Sequence, residues 1–206
     1  NDIAVWNSTL SGANSSALTN AVTWDGIRIA DPAGPVMIGG SALLSLDGGA
    51  ATDIDLIGAT RDLAVQAPVS LGGSSPYIEI AGGRTLTFSG RLEVPAGFEW
   101  NRKGAGTLMF DGAVTSGVEN TMVLFNGTTV LSGKNGNLTF TSTSGNGGRL
   151  YVGRNAGSDA LLIISNGVHE TRGSSATDRA NFGGVSGRGR LILEGGSLRV
   201  VYLRVG

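Results

Sequence analysis

Pairs of apolar residues separated by one small or polar residue recur along the first half of the chain: Ile27-Arg-Ile29, Leu44-Ser-Leu46, Ile54-Asp-Leu56, Leu63-Ala-Val65, Ile78-Glu-Ile80, Leu86-Thr-Phe88 and Leu92-Glu-Val94. Successive side chains of a strand point to opposite faces, so this alternation predicts short half-buried β-strands with the apolar pair inward. Gly39-Gly40, Asp47-Gly48-Gly49, Gly72-Gly73 and Gly82-Gly83 lie between them, where a chain turning every few residues needs positive-φ corners. No apolar run is long enough for a crossover helix, so the class is all-β.

The second half repeats itself. Tyr151-Val-Gly-Arg-Asn-Ala-Gly157, followed by Leu162-Ile-Ile-Ser-Asn-Gly167, is matched by Asn181-Phe-Gly-Gly-Val-Ser-Gly187, followed by Leu191-Ile-Leu-Glu-Gly-Gly196. Gly153 aligns with Gly183, Gly157 with Gly187 and Gly167 with Gly196, a period of about 30 residues that falls among solenoid repeats. The expected architecture is a right-handed parallel β-helix, a β-solenoid of about seven to nine coils of roughly 20–30 residues, some 35–45 Å long. Leu86/Phe88, Leu108/Phe110 and Leu138/Phe140 are expected to stack as inward ladders, with Leu162, Leu191 and Leu193 also inward. Thr85, Thr87, Thr107, Thr139 and Thr141 are expected to stack outward.

Residues 1–35 differ in style, with Trp6, Trp24, a Ser/Asn-rich stretch and a closing Asp31-Pro-Ala-Gly-Pro35. They read as an N-terminal cap, because a solenoid needs an atypical unit over the open end of its core; the alternative makes the two tryptophans sugar-stacking platforms. Residues 36–206 read as coils that continue beyond the fragment. Leu198-Arg-Val-Val-Tyr-Leu-Arg-Val-Gly206 starts a further strand with no cap after it, leaving an apolar rim through which copies would associate.

Glycine makes up 35 of 206 residues, about 17%, against a usual share of about 7%, without the strict triplet of collagen. With 40% hydrophobic residues the chain can bury a core, which excludes disorder as its class. Cysteine is absent, which removes disulfides, thiolate nucleophiles and zinc–thiolate sites together. No apolar run approaches the roughly 20 residues that span a bilayer and no leader opens the sequence, which reads as a soluble piece already trimmed. The net charge of −1 conceals an asymmetry: residues 1–100 hold four arginines against ten acids, and residues 101–206 hold eleven lysines and arginines against six acids. Ends of opposite sign favour head-to-tail stacking or a basic flank for an anionic polymer, or else the charges only solubilise the outer face.

Lys103-Gly-Ala-Gly-Thr-Leu-Met-Phe-Asp-Gly112, followed by Asn126-Gly-Thr-Thr-Val130 and Gly133, resembles the autotransporter-associated β-strand repeat of passenger regions in secreted bacterial surface proteins. Val114-Thr-Ser-Gly117 stands where that family has an Asn-Thr-Tyr turn, and the close similarity covers about 35 residues. The resemblance implies a parallel β-helix on the outer surface of a bacterium or in its surroundings, acting as a stalk, adhesin passenger or assembly unit.

Catalytic chemistry is sparse. His169 is the one histidine, and it aligns one repeat back near Leu198, which makes it structural before it is a base. Gly183-Gly-Val-Ser-Gly187 precedes a strand pattern and so lacks the helix N-terminus of a phosphate loop. Asp53 and Asp55, with Asp62 beyond, share an outer face and suggest calcium, but their spacing fits no calcium loop, so neither metal nor cofactor is expected. Arg149, Arg154, Arg188, Arg190, Arg199 and Arg204 form a basic row. With a pI near 5.8 and no interleaved stacking aromatics, an acidic glycan suits that row better than nucleic acid. The function expected is a structural or adhesive segment whose partner is an extracellular polysaccharide or further copies of the chain. The alternative is a polysaccharide lyase or glycoside hydrolase, which rests on what other β-helices do.

Overall fold

In a computed structural model of the chain, residues 2–48, 52–73, 75–95, 97, 99–116, 121–134, 139–142, 149–171, 179–184 and 186–206 are described. Their strands pair in parallel into sheets of nine, eight, five and three strands. The chain visits the sides of the molecule in rotation. Ile3–Trp6, Asn14–Leu18 and Val22–Trp24 open the nine-, eight- and five-stranded sheets in turn, and Gly26–Ile29 returns to the first. From Thr139–Ser142 onward the third side is the three-stranded sheet, next to Val114–Ser116. This is the expected parallel β-solenoid. Among the described residues no helix forms, so none is long and apolar enough to cross a membrane.

The alternation read from the sequence decides which side of each strand is buried. In every one of the seven apolar pairs from Ile27/Ile29 to Leu92/Val94 both flanking residues are buried, while the central residue is exposed or half-buried. Parallel register then places like on like. Leu86 lies on Leu108 and Phe88 on Phe110, with the two rings stacked at 5.8 Å and 12° and Trp100 meeting Phe110 edge-on at 6.1 Å. Coil length varies with the turns, from 21 residues between Leu108 and Thr129 to 33 between Thr129 and Leu162. Thr85, Thr87 and Thr107 sit half-buried on the outward side.

The third expected ladder is different. The coil after Leu108 and Phe110 takes 21 residues, so Thr129 and Leu131 stack on them. Phe140 pairs instead with His169 in the three-stranded sheet, and Leu138 lies outside the described residues. Thr139 and Thr141 follow Phe140 into that sheet. Leu162 is buried as expected, Leu191 is half-buried, and Leu193 is 53% exposed. Its strand, Arg188–Leu193, is the last of the eight-stranded sheet, so the column carrying Leu193 is open on one side. Leu203 and Val205, register partners of the buried Ala180 and Phe182, are exposed for the same reason. The opposite end of that inner face begins with polar residues: Asn14 occupies the column of Val36 and accepts a hydrogen bond from Trp6 Nε1 at 2.9 Å. Trp6 and Trp24 pack edge to face with ring centres 6.2 Å apart.

Polar groups interrupt the apolar columns, Thr129 between Leu108 and Leu162 among them. Arg102 stands between Ile78 and Leu124, fully buried, and its guanidinium donates to the carbonyls of Gly104 and Gly106 in the next turn. Gly127, at φ +70°, passes where any Cβ would strike that guanidinium. His169 is 4% exposed and lies in register with Leu198, the alignment read from the sequence.

Two stability experiments follow from these columns. Phe110→Ala should cost about 3–5 kcal/mol in denaturant unfolding, and Phe110→Asp, which buries an unpaired charge, should not fold; a Phe110→Asp protein as stable as the parent contradicts the stacking. Burial pushes the His169 imidazole down from 6.5 to about 4, so the folded chain keeps it neutral. The unfolded chain binds that proton first, so stability falls as pH drops from about 6.5 through 4, by up to about 3 kcal/mol. Asp53, pushed up by burial to about 6, works oppositely, gaining stability over the same fall. His169→Leu should therefore gain on the parent at about pH 4 relative to about pH 7; a pH-independent difference between the two contradicts the burial.

Candidate functional site

The outward side of the nine-stranded sheet carries the densest polar chemistry in the described structure, and stacking builds it. One column runs Tyr77, Asn101, Val123, Tyr151, Asn181, Arg204. Beside it runs Glu99, Thr121, Arg149, Arg179, Tyr202. Because the chain repeats at 30 residues here, two arginines become register neighbours, at the roughly 4.8 Å spacing of adjacent strands.

Over the last three strands of this face lies a cleft of about 540 Å³, lined by Tyr151, Arg154, Arg179, Asn181, Gly183 and Arg204 among others. Arg154 lies across the Tyr151 ring, 4.6 Å from its centre, and pairs with Glu99 two coils away at 3.2 Å. Among the described residues no carboxylate pairs with Arg149, Arg179 or Arg204. Asn181 is 5% exposed and its Nδ2 finds no partner among them, nor do the Nε atoms of Arg149 and Arg179. Buried donors are ordinarily satisfied, so a cleft lined by unsatisfied ones matches a ligand bearing acceptor oxygens. The glycine cluster has a different task from phosphate binding. Gly184 and Gly187 pack directly against residues 153–155, where a Cβ on either would strike the backbone carbonyls of Arg154, Gly153 or Asn155.

A second cleft, of about 330 Å³, adjoins the first. Tyr77, Lys103, Phe125, Asn126 and Ser158 line it, and Asn155 and Ala156 line both. The Lys103 ammonium sits 4.4 Å from the centre of the Tyr77 ring and 5.4 Å from that of Phe125. Turn 153–158 is thus a ridge between two cationic, aromatic hollows, closed by the Ser158 N–H donating to the Asn155 carbonyl at 3.0 Å.

The six arginines read from the sequence divide among three sides. Arg154 and Arg204 line the larger cleft and Arg149 lies in register with Arg179 beside it. Arg188 and Arg190 project from the eight-stranded sheet, where Arg190 pairs with Asp159 at 2.9 Å. Arg199 lies in the three-stranded sheet opposite Glu170. Tyr77, Lys103, Phe125, Tyr151, Arg179 and Asn181 also line the two clefts and lie outside the arginine row of the sequence. The 30-residue period held part of the signal, since it aligns Tyr151 with Asn181 and Arg149 with Arg179.

The acidic trio does not converge. Asp53 is buried, with its Oδ2 accepting the Tyr77 N–H at 2.6 Å, so it does not share an outer face with Asp55. Asp55 pairs outside with Arg28 at 2.9 Å, and Asp62 accepts the Thr85 N–H at 3.0 Å. Among the described residues no group of three His, Cys, Asp or Glu side chains could hold a metal ion.

Compared with protein-family models, with curated proteins and with solved structures, the chain matches none. The two segments that resemble the strand repeat contribute Thr107–Phe110 and Gly127–Leu131, neighbouring strands of the eight-stranded sheet.

Chelation tests the separation of the carboxylates. The melting temperature should be the same with and without EDTA; a fall that calcium restores would show Asp53 and its neighbours holding a metal the fold needs.

Proposed function

We propose that this β-solenoid is a non-enzymatic adhesive segment of a bacterial surface or extracellular protein, and that it binds an acidic polysaccharide on the outer side of its nine-stranded sheet. The observation that carries the reading is the larger cleft: Arg154, Arg179 and Arg204 converge there with Tyr151 and the unsatisfied Asn181 amide. Guanidinium forks match carboxylate and sulfate oxygens in pairs, and a sugar ring presents hydroxyls for the amide. The described residues lining this cleft include no carboxylate or imidazole to act as general acid or base, which favours binding over cleavage. The resemblance of Lys103–Gly112 and Asn126–Gly133 to the autotransporter-associated strand repeat supports the surface location.

Retention on immobilised polygalacturonate, compared with neutral dextran, tests the reading. The parent should be retained on the acidic matrix alone and elute as salt rises. Arg179→Ala should weaken binding about tenfold, and Glu99→Gln, which frees Arg154 from its ion pair, should strengthen it a few-fold. Equal behaviour on both matrices, or an Arg179→Ala protein retained as well as the parent, contradicts the proposal, and shortening of the polymer would show an enzyme.

A further inference from the structure

We infer that the two clefts are subsites of one groove, and that its ligand is a linear acidic polysaccharide lying along the solenoid axis across the ridge at turn 153–158. The inference rests on the binding reading above and extends it from one cleft to a polymer of defined direction. Its basis is continuity: Asn155 and Ala156 line both hollows, and both open on the outer side of the nine-stranded sheet. From Tyr77 to Arg204 the groove crosses six stacked strands, which at about 4.8 Å per step is about 24 Å. A disaccharide is held within one hollow; a hexasaccharide reaches from one to the other.

The cations recur along that line. Lys103 stands on the far side of the ridge, and Arg154, Arg179 and Arg204 stand on the near side. Such an array suits a ligand with a negative charge on each repeating unit. Nucleic acid has that property too, but it gains affinity by stacking bases on open aromatic faces. Here Lys103 lies over Tyr77 and Arg154 over Tyr151, so those rings present a cation where a base would stack. Sugars carrying carboxylates or sulfates need the cation itself.

Binding of oligogalacturonates and of heparin-derived oligosaccharides, each from disaccharide to hexasaccharide, separates the possibilities by calorimetric titration of the whole chain. In at least one series the hexasaccharide should bind about tenfold or more tightly than the disaccharide, because the second hollow is engaged at high effective concentration. Lys103→Gln, whose fold is checked by circular dichroism and melting, should remove that gain, so that hexasaccharide and disaccharide bind within about twofold of one another, whereas Arg179→Gln should weaken both lengths. Disaccharide and hexasaccharide binding equally well in both series would overturn the shared groove while leaving the single-cleft reading intact. No binding at any length would overturn both. An oligothymidylate displacing the hexasaccharide at equal concentration would overturn the assignment to a sugar polymer.

Discussion

Everything in this molecule depends on parallel, in-register stacking of one coil on the next. Within each sheet a strand hydrogen-bonds to the strand a coil earlier, so a residue's neighbour above and below is fixed by register. Inside, this makes columns in which Leu86 meets Leu108 and Phe88 meets Phe110, and packing repeats instead of being solved afresh in each coil. Outside, the same register stacks the polar residues, so a functional face forms wherever the outward residues of successive coils are chemically alike.

Arg149 and Arg179 show the consequence. Like charges at adjacent positions of neighbouring strands are unfavourable, and the Nε atoms of both are shielded from water without a described partner. An anion beside them, as the proposed binding requires, would relieve that repulsion. Arg102 carries the opposite lesson. Its burial in an aliphatic column pulls its pKa down to about 10, which leaves it charged at neutral pH, and the carbonyls of Gly104 and Gly106 accept from it. Those carbonyls belong to the turn on either side of which Lys103 and the strand Thr107–Phe110 are set. A buried charge thereby sets the turn beside Lys103 in the smaller cleft.

Much of this was legible in the sequence, for reasons particular residues make plain. The Ile-x-Ile and Leu-x-Leu pairs name their buried side because a strand has only two faces, and Gly48 and Gly72-Gly73 mark turns that touch one another. The 30-residue repeat placed His169 against Leu198 correctly. It could not place Phe140, because coil length changes after Phe110 and an intervening strand takes the expected rung. Asp53 was misread because the alternation assigns a side only within a strand, and this carboxylate lies just before Ile54–Leu56 and turns inward to meet the Tyr77 N–H. The clefts were hidden for a related reason: Tyr77, Lys103 and Asn155 come from three coils, and only the register shows that they meet.

The most direct test of the account is a cross-link across the stack at the site itself. The chain has no cysteine, so a pair introduced as Arg149→Cys and Arg179→Cys reports on that contact alone. Register partners on adjacent strands lie about 4.8 Å apart, inside the roughly 4.4–6.8 Å between Cα atoms that a disulfide spans. The pair Arg149→Cys and Asn181→Cys is diagonal, at about 7–8 Å, and serves as the control. Mild oxidation of the folded protein should close the first pair readily and leave the second as free thiols. Closure of the diagonal pair with the register pair left open would contradict the stacking on which both the fold and the groove are built.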